Sequence, residues 1–333
     1  MKYVPAASVI VSGLVLALVF ALPAPASLRV DASTFSFGVA GDFGWTTSRS
    51  KITLQALARD QANLSFFIAD GDLSYNFTAG TEGAWCDYVK SFIGTTFPFQ
   101  VVAGNQEDDD PVRIDNFAAC LPDRLGSTGV YGKEYYNDFP SGTPLARMIH
   151  ISPDLIFPPI GKWTYVSNNT HYRWLISAID GARAAGIRWV IVMAHKPCLG
   201  LVGTTCSAGQ DLQDLLLIKK VDLVIFAHEH SYQRTKQLSC AIRNMFLPEC
   251  VVDADGAFAK GAGTVIATVG TGGQGFSSVG LTTDVERGYF AAGMGSNTPG
   301  FGWGYLRVTI SETGLMAKTV FSGTWQDAFS IGA

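Results

Sequence analysis

Short apolar runs alternate along the chain with stretches of helical periodicity, such as SKITLQALARDQ and HYRWLISAIDGARAAG. Apolar runs of about 4–8 residues between helices are typical of strands buried on both faces of a largely parallel sheet. Each run is followed by a polar residue. The runs are FSFGVAGD (35–42), SFFIADGD (65–72), FQVVAGN (99–105), WVIVMAH (189–195) and DLVIFAHEH (222–230).

The C-terminal part of the chain has a different pattern, with three closely spaced strand-like segments and no long helix between them. They are GTVIATVG (263–270), WGYLRVTISE (303–312) and GLMAKTVF (314–321). The Glu-Thr-Gly turn between the last two predicts a hairpin. Because no linker or fixed repeat divides the chain, we expect one α/β domain with a second, more antiparallel sheet packed on the first.

Oxygen and nitrogen donors stand where the five runs end. They are Asp42, Asp72, Asn105, His195 and the pair His228 and His230. A single histidine at a strand end is usually an ordinary, satisfied side chain. Ligands of open α/β sheets, however, bind beyond the carboxyl ends of the strands, and three of the five histidines of the chain lie there.

These donors, with Tyr75 three residues after Asp72, are too many for one tetrahedral zinc site. Two metals about 3.5–4 Å apart with a bridging carboxylate would use all of them. In an extended segment, residues two apart point the same way, so His228 and His230 can each reach one of two neighbouring ions. The alternative for Tyr75 is an aromatic side chain that packs on the sheet in a turn.

At these residues the chain resembles the calcineurin-like metallophosphoesterases, and among them the purple acid phosphatases. The motifs in question are GDFG (41–44), GDLSY (71–75), GNQE (104–107), VMAH (192–195) and AHEHSYQR (227–234). They follow the family's order, and the tyrosine of GDLSY is the most diagnostic. The resemblance implies an α/β fold, a four-layer α/β/β/α sandwich of two mixed sheets with the metal site at the carboxyl ends of the strands.

The resemblance also implies the distribution of the ligands. Asp42, Asp72, Tyr75 and His230 would hold Fe³⁺. Asp72 would bridge to a divalent metal, Fe²⁺, Zn²⁺ or Mn²⁺, which Asn105, His195 and His228 would complete. Phenolate and carboxylate are hard donors that suit Fe³⁺, whereas imidazole and amide suit the divalent ion. Charge transfer from phenolate to iron would colour the protein.

The reaction implied by the resemblance is attack of metal-bound hydroxide on a phosphomonoester, and Asp72, Asn105, Gln106 and His195 are the predicted catalytic residues. Gln106 departs from the family, which has a histidine there that helps to protonate the leaving group. An amide donates a hydrogen bond but cannot act as a general acid.

The loop after His195, KPCLGLVGTTCSAGQ, also lacks the histidines that relatives usually place near the substrate. We hypothesise that His150, His171, Lys196 or Glu107 compensates, or that preferred substrates have good leaving groups such as phenols or phosphoanhydrides. A strongly acidic pH optimum is therefore not expected.

Other segments near these motifs have predicted supporting or alternative roles. Glu107, Tyr232 and Arg234 are predicted to support the ligands. GTGGQG (270–275) fits a dinucleotide-binding pattern, but a glycine-rich loop that borders the metal site is the favoured interpretation. The acidic run EDDD (107–110) is a candidate calcium site or, as we favour, a solvated loop.

The N-terminus predicts a secretory signal peptide. Lys2 precedes an apolar stretch at residues 6–22, and Ala24 and Ala26 form a cleavage site, so we expect a signal peptide at 1–26 and a catalytic domain at 27–333. The apolar stretch is short for a stable membrane span. The domain would be the short, single-domain form of the family, either secreted outside the cell or periplasmic.

Composition supports this location and excludes a nucleic-acid binder. The 333 residues carry a formal net charge of −4, and no basic patch exceeds two adjacent charges. Six cysteines suit an oxidising compartment, and one of fifteen possible connectivities pairs Cys198 with Cys206, Cys240 with Cys250 and Cys86 with Cys120. Asn63, Asn76 and Asn168 lie in glycosylation sequons.

The sequence therefore favours a secreted binuclear metallophosphatase that acts on small phosphomonoesters. A phosphodiesterase with the same metal core is the nearest alternative, because Gln106 weakens the monoesterase assignment. A metal-binding protein with little turnover is the alternative from another class. The oligomeric state and the physiological substrate stay open.

Overall fold

The computed structural model describes residues 1–3, 34–108, 113–203 and 206–332. The predicted signal peptide falls almost entirely outside these residues, in the unit Met1–Asp31, so the fold described here is that of the unit beginning at Ala32. Among the described residues, no helix has the length and apolar character needed to cross a membrane.

Five helices and nineteen strands form the described part of this unit. The helices are α1 (Ser48–Asp60), α2 (Glu82–Ile93), α3 (Ile114–Cys120), α4 (Thr170–Ala184) and α5 (Gln210–Ile218). The strands are β1 (Phe35–Ala40), β2 (Phe66–Asp70), β3 (Phe99–Val102), β4 (Thr128–Val130), β5 (Glu134–Phe139), β6 (Ala146–Ile151), β7 (Leu155–Phe157), β8 (Gly161–Trp163), β9 (Trp189–Ala194), β10 (Leu223–Phe226), β11 (Tyr232–Thr235), β12 (Gln237–Leu238), β13 (Val251–Asp253), β14 (Ala257–Ala259), β15 (Val265–Val269), β16 (Phe290–Met294), β17 (Gly304–Ile310), β18 (Gly314–Phe321) and β19 (Ala328–Gly332).

Two large mixed sheets contain most of these strands. The first has the order β14-β19-β18-β17-β1-β2-β3, and the second has the order β16-β11-β15-β10-β9-β6-β5-β4. β1, β2 and β3 are parallel to one another, as are β6, β9, β10 and β15. The predicted hairpin is confirmed, because β17 and β18 pair antiparallel with Ile310 opposite Leu315.

The side chains of β9 show how the layers stack. Trp189, Ile191 and Met193 belong to the core shared with the first sheet, whereas Val190 and Val192 belong to a second core with α4 and α5. Successive strand residues point to opposite faces, so this strand is covered on both sides, as its unbroken apolar sequence predicts. With α1 and α2 packed on the first sheet, the predicted four-layer α/β/β/α sandwich is confirmed.

The assignment of strands to sheets differs from the simplest interpretation of the pattern. The five apolar runs do not share one parallel sheet: β1, β2 and β3 lie in the first sheet, and β9 and β10 lie in the second. The C-terminal strands β17, β18 and β19 extend the first sheet through an antiparallel pairing of β17 with β1. Burial on both faces looks the same in either sheet, so periodicity alone could not divide the runs.

Three disulfides join the six cysteines in the pairing that the sequence suggested. They are Cys86–Cys120, Cys198–Cys206 and Cys240–Cys250. The first ties α2 to α3, and the second closes a short loop directly after His195. All three are consistent with folding in an oxidising compartment.

His150 makes the fold sensitive to acid. It is buried in β6 and stacked on Tyr135 with ring centroids 4.3 Å apart, and burial lowers its pKa to about 3. An unfolded chain takes up a proton at this residue below about pH 6.5, whereas the folded chain does not. The stability that the neutral imidazole contributes is therefore present above that pH and lost as the pH falls toward 3.

We predict that His150→Phe reduces the loss of unfolding free energy between pH 7 and pH 4.5 by about 2 kcal/mol. Urea unfolding of both proteins at the two pH values measures the difference. An identical pH dependence in the variant would contradict the assignment.

Candidate metal centre

The predicted donors meet at the carboxyl ends of strands from both sheets. Asp42, Asp72 and Asn105 follow β1, β2 and β3, and His195 and His228 follow β9 and β10. Ligand atoms of Asp72, His195 and His228 all lie within 4.8 Å of one another. Side chains separated by more than 120 positions in the sequence therefore form one cluster.

The backbone at this cluster is held in conformations that ordinary residues avoid. Asp42, Asp72, Tyr75 and His228 have φ values of 61°, 52°, 52° and 68°. They are four of the eight non-glycine residues with positive φ in the described part of the chain. The left-handed region costs an L-residue about 1–2 kcal/mol, and such strain concentrates at functional sites.

His195 and Asp72 direct two lone pairs at each other. The Nδ1 atom of His195 donates a hydrogen bond to the backbone oxygen of Asp70 at 2.8 Å. Its Nε2 atom is buried without a hydrogen bond to any described residue and lies 3.1 Å from Oδ1 of Asp72. Two acceptors at this distance repel unless a proton or a metal cation lies between them.

A second group of donors lies around Tyr75. Its hydroxyl donates to Oδ1 of Asp42 at 2.7 Å and lies 2.9 Å from Nε2 of His230. The Nδ1 atom of His230 lies 3.2 Å from the backbone oxygen of Gly275, to which it donates, so Nε2 carries the lone pair that faces Asp42 at 3.3 Å. This arrangement favours a ligand role for Tyr75 over packing in a turn.

Asn105 and His228 are the remaining predicted donors. The Oδ1 atom of Asn105 is buried and has no hydrogen-bond partner among the described residues, which is unusual for a side-chain amide. The ring of His228 lies 5.2 Å from that of His195, and its backbone N–H donates to Oδ2 of Asp42 at 2.8 Å. The Oδ1 atom of Asn105 and the Nε2 atom of His195 thus each keep an unused lone pair that is available to a metal ion.

The pKa values reflect the excess of negative charge. Burial opposes a charge on His195, but Asp72 and Asp42 raise its pKa to about 10. Burial and the charge of His195 lower the pKa of His228 to about 4. Burial, Asp42 and Asp72 raise the pKa of Tyr75 far above its usual range. A phenolate can therefore form here only if a cation offsets the carboxylates.

Comparison with known proteins identifies the family. The family model described as "Calcineurin-like phosphoesterase" matches residues 35–232. The chain belongs to the calcineurin-like phosphoesterase family. The resemblance drawn from the five motifs is thereby confirmed.

The relatives within this phosphoesterase family include plant enzymes. "Purple acid phosphatase 1" of Ipomoea batatas is 24% identical over 269 residues, which cover 76% of this chain and 52% of that protein. "Fe(3+)-Zn(2+) purple acid phosphatase 12" of Arabidopsis thaliana is 24% identical over 264 residues, 75% of this chain and 52% of that protein. The chain thus matches about half the length of these relatives.

A solved structure shows the same fold. Purple acid phosphatase PPD1 from yellow lupin (Lupinus luteus) seeds superposes with a TM-score of 0.67 at 15% identity, and covers 91% of this chain and 54% of that one. At this identity the likeness concerns the fold, and it agrees with the two mixed sheets described above.

Glu107 joins the two loops that carry Asp72 and Asn105. Its carboxylate accepts backbone N–H bonds from Leu73 at 2.7 Å, Asp72 at 2.9 Å and Gly104 at 3.1 Å. Burial and the charge of Asp72 raise its pKa to about 8, while the three donors favour the ionised form. The predicted supporting role of Glu107 therefore has a geometric basis.

Tyr232 and Arg234 have a different position from the one expected. Their side chains bind Asp327, at 2.8 Å from the Tyr232 hydroxyl and 2.7 Å from Nε of Arg234. These contacts fasten β11 to the C-terminal part of the chain. The prediction that they support the ligands is corrected to a packing role, because adjacency in the motif does not determine where side chains on a strand point.

Gln106 lies beside the cluster, where its backbone N–H donates to Oδ1 of Asp72 at 2.9 Å. Three of the residues proposed to protonate the leaving group in place of Gln106 make contacts elsewhere. His150 is stacked in the core, His171 binds Glu134 at 3.0 Å, and the Nζ atom of Lys196 binds Asp154 at 2.9 Å. These contacts connect none of the three side chains to Gln106.

Two features of the site were not predicted from the sequence. Asp70 orients His195 through its backbone oxygen, and its carboxylate is buried with neither oxygen hydrogen-bonded to a described residue. Burial raises the pKa of Asp70 to about 7. An aspartate inside the apolar run SFFIADGD was the signal available for it. The backbone oxygen of Gly275, which orients His230, leaves no such signal.

The glycine-rich segment 270–275 lies beside the cluster of predicted donors, as favoured from the sequence. The backbone N–H of Gln274 donates to the backbone oxygen of Asp42 at 2.9 Å, and no helix follows the segment until the short turn at Arg287–Tyr289. Part of the acidic run EDDD, Asp109 and Asp110, lies outside the described residues.

We predict that Glu107→Gln weakens metal binding by about 10-fold or more and lowers the free energy of unfolding by about 2 kcal/mol. The amide has one acceptor oxygen, and its NH₂ group would face a backbone donor. Metal content after dialysis and urea unfolding measure the two effects. Glu312→Gln, the same substitution in the exposed β17–β18 turn, should behave like the wild type; equal effects in both would contradict the role of Glu107.

Proposed function

We propose that the protein is a secreted, metal-dependent phosphoric ester hydrolase of the purple acid phosphatase type, which releases phosphate from small monoesters. The observation that carries this proposal is the 3.1 Å approach of two buried acceptors, Nε2 of His195 and Oδ1 of Asp72. With His195 unprotonated the two lone pairs repel, so a cation has to lie between the two atoms: a proton, which the raised pKa of His195 favours in the metal-free chain, or a metal ion. The donor atom of His228, within 4.8 Å of both residues, favours the metal ion.

The donors fit two neighbouring metals. Asp42, Tyr75 and His230 would hold Fe³⁺ with Asp72, whose carboxylate would bridge to a divalent ion. Asn105, His195 and His228 would complete the divalent site. Hard anionic donors on one side and neutral donors on the other match such a mixed pair. The name of the Arabidopsis relative, which contains Fe(3+) and Zn(2+), supports a pair of Fe³⁺ and Zn²⁺. Fe²⁺ and Mn²⁺ are the alternatives to Zn²⁺.

Bound metals would supply an activated water and would neutralise charge on the phosphoryl oxygens. The chain supplies the positioning. The backbone oxygen of Asp70 fixes the ring of His195, that of Gly275 fixes His230, and Glu107 fixes the loop of Asp72. Gln106 would donate a hydrogen bond to the phosphoryl group but could not protonate the leaving group.

A location outside the cytoplasm is part of the proposal. Three disulfides within one domain are rare in reducing compartments and common in secreted or periplasmic proteins. Of the three sequon asparagines, Asn63 and Asn168 are exposed, which would allow glycosylation in an organism that performs it.

The decisive experiment is metal analysis of the secreted protein combined with phosphate release from phenyl phosphate and from bis(phenyl) phosphate across pH. Faster turnover of the monoester supports the proposal. Faster turnover of the diester would assign the same core to a phosphodiesterase, an alternative that Gln106 favours. Metal-loaded protein that hydrolyses neither ester would contradict an enzymatic role.

We predict that the metal-loaded protein has a visible absorption band and that Tyr75→Phe abolishes it. The band requires a phenolate ligand on Fe³⁺, and phenylalanine has no oxygen to donate. Visible spectra of the wild type and the variant test this. Tyr88→Phe on α2, where the ring packs against Phe92, is the control and should keep the band. A band that survives in the Tyr75 variant would exclude Tyr75 as its source.

We predict that Gln106→His raises kcat on alkyl phosphates by about 10²-fold or more, because it restores general-acid help to a leaving group that needs a proton. Turnover of aryl phosphates should change much less, since a phenolate leaves without a proton more easily. Steady-state rates on both substrate types give the comparison. An unchanged rate on alkyl phosphates would show that proton transfer does not limit the wild type.

A further inference from the structure

The segment 274–277 connects the metal centre to a group of aromatic side chains. The backbone oxygen of Gly275 accepts from His230, and the backbone N–H of Ser277 donates to the backbone oxygen of His230 at 2.8 Å. Phe276 lies between these two anchoring points. It is stacked on Trp303, with ring centroids 5.2 Å apart and an interplanar angle of 16°.

Trp303 is itself fastened to the same segment. Its Nε1 atom donates to the backbone oxygen of Gln274 at 2.8 Å, and Phe301 packs edge-on against both Phe276 and Trp303. Phe276 and Trp303 are half-buried, and Phe301 is exposed. The group therefore forms a partly exposed rim next to His230, with Phe276 packed against the edge of the core.

Arg49 lies over this rim. Its Cζ atom is 5.4 Å from the centre of the Trp303 ring, a distance at which a guanidinium is held by the aromatic face. A methyl group placed on Gly275 would lie 2.9 Å from Nη1 of Arg49, so the guanidinium is next to the residue that orients His230. The side chain is exposed, and no carboxylate among the described residues forms an ion pair with it.

We propose that Arg49, held by Trp303, binds a second anionic group of the substrate, and that the preferred substrates are phosphoanhydrides such as diphosphates. The inference rests on the proposed function and names a substrate class for the same site. Guanidinium presents several N–H donors in a plane that matches phosphate oxygens. One phosphoryl group would be attacked at the metals while Arg49 binds the other.

This substrate class also fits the departure at Gln106. In hydrolysis of a diphosphate, a water oxygen bonds to one phosphorus atom and its proton passes to the solvent. The bond between that phosphorus atom and the bridging oxygen breaks, and the bridging oxygen leaves with the electron pair as part of the second phosphate. That phosphate is a stable anion near neutral pH, so no protein acid has to supply a proton. Arg49 would bind the anionic oxygens of this second phosphate, which an alkyl leaving group does not have.

The test compares the metal-loaded wild type with Arg49→Met, Arg49→Lys and Arg188→Met. Arg188 is exposed directly before β9, at the opposite end of that strand from His195, so its variant removes the same charge far from the rim. For each protein, kcat/KM is measured on pyrophosphate, adenosine diphosphate and phenyl phosphate at constant ionic strength. Calorimetry measures the binding of methylenediphosphonate and methylphosphonate, neither of which is hydrolysed.

We expect Arg49→Met to lower the ratio of diphosphate to phenyl phosphate kcat/KM by about 10-fold, the effect of losing one charge-assisted contact. The preference for methylenediphosphonate over methylphosphonate should fall by a similar factor. Arg49→Lys should keep part of both preferences, and Arg188→Met should keep all of them. Adenosine diphosphate compared with pyrophosphate shows whether the source of the diphosphate is a nucleotide or the inorganic ion.

The same ratios in Arg49→Met and Arg188→Met would overturn the proposal. If the wild type hydrolysed none of the compounds, the proposed function would fail, but the two phosphonates would still decide whether Arg49 binds a second anionic group. Thermal unfolding of each variant shows that a lost preference does not come from a lost fold.

Discussion

The mutual repulsion of lone pairs in two pairs of side chains, His195 with Asp72 and His230 with Asp42, is the constraint on which the rest of the structure depends. His195 cannot turn away from Asp72, because its other nitrogen is bound to the backbone of Asp70. His230 is fixed in the same manner by Gly275. Each fixed ring directs an unshared pair at a carboxylate, and only positive charge between them makes the arrangement favourable. The fold provides the rigidity that holds these atoms together.

The cluster of donors also contains strained backbone and a buried acid that stabilises the neighbouring loops. Four residues of the cluster adopt left-handed conformations, and Gly71 approaches so closely that a Cβ atom would lie 2.6 Å from Nδ1 of His195. Glu107 compensates by satisfying three backbone N–H groups of the loops on either side. The surrounding sandwich therefore holds backbone conformations and close contacts at the site that would be unfavourable on their own.

Most of the fold and the composition of the cluster could be predicted from the sequence. Apolar runs that end in Asp42, Asp72, Asn105, His195 and His228 were enough to place strands and donors, because strand ends are where sheets bind ligands. The division of those runs between two sheets was not accessible, since the strands of all five runs are buried along their whole length in either sheet. The part played by Asp70 and Gly275 was also hidden, because backbone oxygens carry no residue-specific signal. Tyr232 and Arg234 show the opposite error, in which proximity along a motif was taken for proximity to the site.

The origin of the donors in separate layers has a mechanical consequence. Asp42, Asp72 and Asn105 extend from the first sheet, and His195 and His228 extend from the second. A cation bound by side chains of both sheets would link the two sheets at this end of the sandwich, in addition to any catalytic role. Removal of the cation by a chelator would first weaken the contact between the two sheets at the carboxyl ends of these strands. Apolar packing would still hold the sheets together at the opposite ends of the strands.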